Sequence, residues 1–162
     1  MRRFDPLALL CGLAALIACA GTSFGLAGPL DAAFALGLVL LIASAIARLR
    51  RRARRFETVL TAGGTILAAW ALLSALPTGA EGRASLPLVA AMIAVWLGAW
   101  RVVNAIIAAT PARGALRMVA NLAAPVIFGA TLLFLWECVT RGFGVPRVIL
   151  PPPSAIAHRF AS

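Results

Sequence analysis

The sequence predicts an all-α, polytopic membrane protein with about five transmembrane helices and a cytoplasmic N-terminus. Hydrophobic residues make up 62% of the 162 residues, only 12% are charged, and the mean hydropathy is +0.99. This composition leaves too little polar surface to cover a water-soluble globule of that length. The apolar residues also fall into five stretches long enough to cross a bilayer as helices: residues 7–27, 30–47, 58–76, 86–107 and 121–140.

The first segment has two interpretations, because Arg2 and Arg3 before an apolar run are also typical of a cleavable secretory signal. The residues that end at Cys19 resemble a lipoprotein processing box, in which Cys19 would carry the lipid and become the new N-terminus. We favour an uncleaved membrane helix, since the apolar run continues past Cys19 to the length of a bilayer span. Cys11, Cys19 and Cys138 are interpreted as small apolar side chains rather than metal ligands.

The connection between the second and third segments sets the predicted orientation. All 15 basic residues of the chain are arginines, and six of them fill this connection: Arg48, Arg50, Arg51, Arg52, Arg54 and Arg55. Positively charged loops resist translocation, so we expect this connection and the N-terminus inside the cell and the tail after the fifth segment outside. Arg141, Arg147 and Arg159 in that tail oppose the assignment weakly. The arginines indicate topology and contacts with membrane lipids, and no nucleic-acid partner is predicted from the formal charge of +10.

The fourth segment contains a possible intramembrane polar site, formed by Arg101 and Asn104. An ionisable side chain within a membrane helix is energetically costly, so a functional role is one hypothesis. The alternative, which the sequence favours, is that Arg101 lies toward the cytoplasmic end of its helix. Its long stem would then extend to the interface beside Trp100.

The end of the fifth segment contains Glu137, which either faces water at the membrane boundary or pairs with Arg141 four residues later. Beyond it, two glycines and Pro146 end the helix, and three consecutive prolines impose an extended conformation. Ser154 then occupies an N-cap position, followed by apolar residues on one face of a short helix. Because the sequence stops soon after that start, we expect the chain to be the leading part of something longer.

Seven residues from the end of the fifth segment onward form a characteristic series: Trp136, Glu137, Pro146, Leu150, Pro151, Pro153 and Ser154. This series resembles the opening of the inner-membrane permease subunits of ABC importers, in particular the nitrate, sulfonate, taurine and bicarbonate class. In that family, a first helix ending near a Trp-Glu or Trp-Gln pair leads outward to a Leu-Pro-x-Pro-Ser motif and a short periplasmic helix. The resemblance covers residues 134–160 and implies a structural role for the seven residues.

The resemblance implies two parts: a four-helix transmembrane extension over residues 1–120, and the first permease-type helix with its Pro-rich periplasmic segment over residues 121–162. It also implies a bacterial inner-membrane location and transport by alternating access. The implied partners are a second permease copy, a periplasmic substrate-binding protein and a cytoplasmic ABC ATPase. ATP would be bound by that separate ATPase, so no cofactor is predicted in this chain. The family's cytoplasmic coupling loop is absent from these residues, so the resemblance implies a truncated chain, a fragment of a split gene or the portion that precedes the transport core.

Two other classes of function agree less well with the sequence than the permease does. A small accessory or scaffold subunit of a larger transporter would make 162 residues the whole protein, but would not need the Pro-rich tail. An integral-membrane enzyme is not predicted, because the sequence has no clustered His, Asp or Glu for metal or acid–base chemistry and no phosphate-binding loop. We therefore assign no catalytic, cofactor-binding or metal-binding residues. Family analogy gives only a substrate class, a small anion or small organic solute.

Overall fold

A computed structural model describes residues 6–20, 29–49, 54–76, 85–109 and 114–161 of the chain. Three of the helices in these ranges begin with proline, which lacks the N–H that a first helical turn leaves unpaired and has a preset helical φ. The described residues form six helices: α1 (Pro6–Ala20), α2 (Pro29–Leu49), α3 (Arg54–Ala75), α4 (Leu86–Ala109), α5 (Ala115–Gly142) and α6 (Pro153–Ala161).

The predicted all-α membrane fold is confirmed, since each of the five apolar segments lies on one of the helices α1 to α5. The described apolar stretches of α1 and α2 are the shorter ones, and residues 21–27 of the first predicted segment lie outside the described ranges. The protein is therefore a membrane protein, and a count of five crossings stays a prediction. Three helices are long and apolar enough to cross a membrane by length and composition: Phe56–Ala75, Leu86–Ala109 and Arg117–Gly142.

Helices α1 to α4 pack in a ring, in which each helix contacts the next and α1 contacts α4. Neighbouring helices α2 and α3 run antiparallel, because Gly37 lies beside Ala68 while Leu41 lies beside Gly64. Apolar side chains on the outer faces of the ring are exposed, as expected for surfaces that face lipid. The interior of the ring is filled by buried apolar side chains, the largest of which are Phe34, Leu38, Leu41, Leu72 and Leu88.

Glycines bring the backbones of α2 and α3 into direct contact. A Cβ atom placed on Gly37 would lie 2.6 Å from the backbone nitrogen of Ala68, and one on Gly64 would lie 2.9 Å from the carbonyl oxygen of Gly37. In membranes, such small residues allow close approach and the dispersion contacts that hold helices together. Gly63 differs from its neighbour, because a Cβ there meets no described atom within 4 Å. The contact between α2 and α3 therefore depends on two particular glycines.

Helix α5 lies outside the ring, along α4. It begins at Ala115, six residues before the predicted segment, so the predicted boundary between residues 120 and 121 falls inside a helix. The predicted segment begins too late because Arg117 lowers the local hydropathy average at the start of the helix. A helix tolerates an arginine near its end, where the long side chain reaches the interface. Much of the apolar surface of α5 is exposed, including Val126 at 66%.

Helix α5 ends in a Schellman-type turn that reverses the chain. The N–H of Val145 donates to the carbonyl oxygen of Thr140 at 3.0 Å. Between them Gly144 has a φ of 63°, a left-handed conformation that glycine adopts without steric penalty. Residues 146–152 then lead to α6, which packs against α5.

Candidate functional site

An ion pair lies inside the α1–α4 ring. Nη2 of Arg101 on α4 lies 2.9 Å from Oε1 of Glu57 on α3, and Nη1 donates to Oγ of Ser44 on α2 at 2.9 Å. The hydroxyl of Ser44 donates in turn to the carbonyl oxygen of Leu41 at 2.8 Å. Arg101, Glu57 and Ser44 are 7%, 9% and 0% exposed, so both charges are held away from solvent. One guanidinium group therefore links three of the four helices of the ring.

The burial of Arg101 corrects the interpretation that its side chain extends to the membrane interface. Ala91, Ala94 and Gly98 are buried on α4, and Arg101 follows them at the same spacing of three to four residues. This spacing places Arg101 on the inner face of the helix, where Glu57 meets it. A charge is tolerated in such surroundings when it is paired and hydrogen-bonded, and Arg101 meets both conditions.

Asn104 lies apart from Arg101, so the structure does not bring the two predicted residues into one site. Its side chain is exposed on a different side of α4, where it lines an open, mainly apolar cavity of about 380 Å³ between α4 and α5. We call this cavity the α4–α5 groove. Its main lining residues are Trp96, Trp100, Asn104, Ala124, Pro125 and Phe128.

A second group of polar side chains joins the end of α5 to the start of α6. Ser154 donates its backbone N–H to Oε2 of Glu137 at 2.9 Å and its hydroxyl to Oε1 at 2.6 Å. Nη1 of Arg141 lies 3.3 Å from the same Oε1. The carboxylate thus satisfies an amide at the N-terminus of α6, where the helix dipole also favours a negative charge. Pairing of Glu137 with Arg141 was one of the two predicted arrangements and is confirmed, and the bonds to Ser154 add to it.

Arg141 connects this junction to the ring. Its Nη2 donates to the carbonyl oxygen of Leu76, the residue that follows α3. Next to it, Gly142 packs so closely that a Cβ would lie 2.7 Å from Cδ2 of Leu88, near the start of α4. The ends of α3 and α5 and the start of α4 therefore meet beside the carboxylate of Glu137.

Ser154 is not the N-cap that the sequence predicted. Helix α6 begins one residue earlier, at Pro153, and the carbonyl oxygen of Pro152 accepts the N–H groups of residues 155 and 156. Proline suits the first helical position because it has no N–H to satisfy. The capping acceptor is supplied from α5 by Glu137, which is 17 residues away in sequence from Ser154.

The remaining motif residues shape the segment between the two helices. The carbonyl oxygen of Pro146 accepts the N–H of Leu150 at 3.1 Å, which forms a turn before the prolines. Pro151 is half-buried and follows this turn directly. Trp136 is also half-buried, and within the described residues its indole N–H is buried without a hydrogen-bond acceptor.

Sequence reasoning missed Glu57 and Ser44. Glu57 lay one residue outside the predicted third segment, and a single serine in an apolar run carries no special signal. One usable signal was the regular spacing of small residues that leads to Arg101, which is typical of a helix face that contacts another helix. With only five acidic residues in the chain, that face would have made Glu57 one of a few candidate partners.

Comparison of the chain with protein-family models, curated proteins and solved structures finds no match. The class of the protein follows from its own fold and side chains. It is an α-helical membrane protein with a buried Arg–Glu ion pair in its helix ring and a carboxylate that fixes the start of the short helix α6.

The Glu137→Gln variant is expected to loosen the start of α6. Glutamine keeps only one of the two acceptor oxygens, so one of the two hydrogen bonds from Ser154 is lost. A lost capping bond costs about 1 kcal/mol, so the amide of Ser154 should exchange its hydrogen roughly fivefold faster. Hydrogen exchange followed by mass spectrometry of the 150–161 region measures this. His158→Gln, on the exposed side of α6, is the control and should leave the rate unchanged. Equal exchange in both variants would show that Glu137 does not hold this helix.

Proposed function

We propose that this chain is part of the membrane-spanning permease subunit of an ATP-driven ABC importer in a bacterial inner membrane. Its cargo would be a small anion or a small organic solute. The observation that supports the proposal is the contact between Glu137 and Ser154. Both residues belong to the series that resembles the opening of that permease class, and they come from its two separate halves. The contact gives a physical reason for the two halves to occur together, because one half caps the helix that the other half begins.

The segment between Glu137 and Ser154 fits the same structural role. Gly144 reverses the chain after α5, and the turn at Pro146 precedes the prolines that position α6 beside the end of α5. In a permease subunit with the proposed orientation, α6 would lie on the periplasmic side, where a substrate-binding protein delivers its cargo. A second permease copy and a cytoplasmic ABC ATPase would complete the importer, and the ATPase would bind the ATP.

One observation favours the accessory or scaffold subunit as a second candidate. The ring of α1 to α4 closes on itself, and its buried ion pair fixes three helices relative to one another. A rigid unit of this kind suits a subunit that braces a larger transporter. The junction at Glu137 is the feature that this alternative leaves without a role.

Purification of the tagged chain from native membranes in mild detergent separates the two candidates. The permease proposal expects an ABC ATPase in fixed ratio with the chain, and ATP hydrolysis that increases when the periplasmic binding protein is added to the reconstituted complex. A complex that contains a transporter core but hydrolyses no ATP would reject the permease proposal and favour the scaffold.

The orientation is tested by inserting reporter domains at defined positions within the full chain. Fusions after Arg54 should give cytoplasmic signals, because the arginines there resist translocation. Fusions after Gly82 and after Ser154 should give periplasmic signals from alkaline phosphatase and none from green fluorescent protein. A fusion after Ala112, which should again be cytoplasmic, is the control for alternation. A periplasmic signal after Arg54 would contradict the proposed orientation.

A further inference from the structure

We propose that the α4–α5 groove binds one acyl chain of an anionic phospholipid whose headgroup contacts Arg117. The groove is open to the outside of the bundle, and its walls are formed mainly by aromatic and aliphatic side chains. Its volume of about 380 Å³ is in the range of small-molecule sites, roughly 300–1,000 Å³. Trp96, Trp100 and Phe128 are 40%, 48% and 54% exposed, so their rings present free apolar surface to whatever fills the groove.

Small residues create the space. Ala99 on α4 and Ala124 on α5 line the groove between larger aromatic side chains. Pro125 beside Ala124 has no N–H to donate to the preceding helical turn, which weakens the regular backbone bonding of α5 there. A flexible hydrocarbon chain adapts to such an irregular apolar gap.

The polar groups are arranged at one end. Helices α4 and α5 run antiparallel, because Gly142 at the end of α5 lies against Leu88 near the start of α4. Trp96 and Thr131 therefore lie toward one end of the groove, and Asn104 and Ala124 lie toward the other. The carboxamide of Asn104 is therefore near the end of the groove that points toward the start of α5. Thr131, at the opposite end, already donates its hydroxyl to the carbonyl oxygen of Ile127 at 2.7 Å. An amphiphile would orient its ester groups toward Asn104 and its tail toward Thr131.

Arg117 supplies the charge that selects the headgroup. It precedes Ala124, Phe128 and Thr131 by 7, 11 and 14 residues, so it lies on the face of α5 that lines the groove. The helical rise places it about 10 Å beyond Ala124 along the axis. The apolar span of α5 starts at Arg117, which puts this residue at the level of lipid headgroups. Along the groove, the guanidinium of Arg117 comes first, the carboxamide of Asn104 second and the apolar wall last. This order matches the phosphate, the ester groups and the acyl chain of a phospholipid.

This lipid site is independent of the transport proposal, because it uses neither the motif at Glu137 nor any other subunit. The test is native mass spectrometry of the purified full chain, titrated in detergent with dioleoyl phosphatidylglycerol or dioleoyl phosphatidylcholine. We expect one phosphatidylglycerol molecule to stay bound, with an affinity about fivefold above that of phosphatidylcholine, as one arginine near an anionic headgroup predicts.

Matched variants assign the site. Ala124→Trp fills the groove and should reduce phosphatidylglycerol binding at least to the phosphatidylcholine level, whereas Ala130→Trp, on an exposed part of α5 outside the groove, should not. Arg117→Gln should remove the preference between the two lipids, and Arg117→Lys should keep it. Because Arg117 is at the end of its helix, its variants report on binding even if a tryptophan disturbs folding.

Three outcomes would overturn the proposal. The first is equal binding of both lipids by the unmodified chain. The second is a distribution of several bound lipids that Ala124→Trp leaves unchanged, which indicates non-specific annular lipid only. The third is a dimer that Ala124→Trp dissociates, which would make a second copy of the chain the occupant of the groove.

Discussion

The Glu57→Leu variant should lose about 3–5 kcal/mol of unfolding free energy, because it leaves the guanidinium of Arg101 buried without its carboxylate. Arg101→Leu leaves the carboxylate of Glu57 buried without its partner and should also be destabilising. The measurement is denaturant unfolding of the purified protein in detergent micelles, followed by helical circular dichroism. Asn104→Leu, on the same helix but facing the α4–α5 groove, is the control and should change stability by less than about 1 kcal/mol.

The double variant Glu57→Leu/Arg101→Leu distinguishes a pair from two independent residues. Removing both charges leaves no buried ion, and Ser44 keeps its bond to the carbonyl oxygen of Leu41. Replacing a buried ion pair by apolar side chains is often neutral, so the double variant should be within about 1 kcal/mol of the unmodified protein. Losses that simply add in the double variant would mean that the two side chains do not stabilise each other.

If these results hold, the ion pair serves to fix the arrangement of α2, α3 and α4 more than to increase stability. Apolar helices in lipid gain little from exchanging lipid contacts for one another, so many rotations of a helix are close in energy. A charge that finds its partner in one rotation only selects that rotation. Replacing both charged residues therefore costs little stability, whereas replacing Arg101 alone is destabilising.

The helices could be predicted from the sequence because the bilayer imposes both length and secondary structure on an apolar segment. Hydropathy could not give the rotation of α4, since that helix is apolar on nearly every side, and only the spacing of its small residues distinguishes the inner face from the outer one. Arg101 was therefore assigned to the interface, and its partner Glu57, 44 residues earlier, was not recognised. The pairing of Glu137 with Arg141 could be predicted, because Arg141 lies one helical turn away on the same helix.

The contact between Glu137 and Ser154 needed information on how the chain reverses. Gly144 and the prolines each predicted the end of a helix, but neither gives the direction in which the chain continues. That direction depends on a turn formed by the hydrogen bond from Val145 to Thr140 and by the left-handed backbone of Gly144. The geometry of this turn therefore decides which acceptor the first amides of α6 meet. That geometry cannot be read from a pattern of single residues.

Gly64→Ala should destabilise the protein by about 1–3 kcal/mol, while Gly63→Ala, one residue earlier, should be neutral or stabilising by up to about 1 kcal/mol. The new methyl group on residue 64 would meet the carbonyl oxygen of Gly37 at 2.9 Å and the backbone nitrogen of Leu41 at 3.0 Å, and neither can move without shifting α2. The measurement is the thermal unfolding temperature in detergent, followed by circular dichroism. The two variants have the same amino-acid composition and differ only in the position of the alanine. Their equal stability would mean that α2 and α3 do not approach through this face.

Gly37→Ala tests the same approach from the other helix and should be at least as severe, since its methyl group would lie 2.6 Å from the backbone nitrogen of Ala68. Once one methyl group has forced the two helices apart, the second meets less resistance. The Gly37→Ala/Gly64→Ala protein should therefore lose less stability than the sum of the two single changes. Additive losses would place the two glycines at separate contacts. A loss in the double variant that is smaller than this sum would show that both glycines belong to one backbone contact, on which the antiparallel packing of α2 and α3 depends.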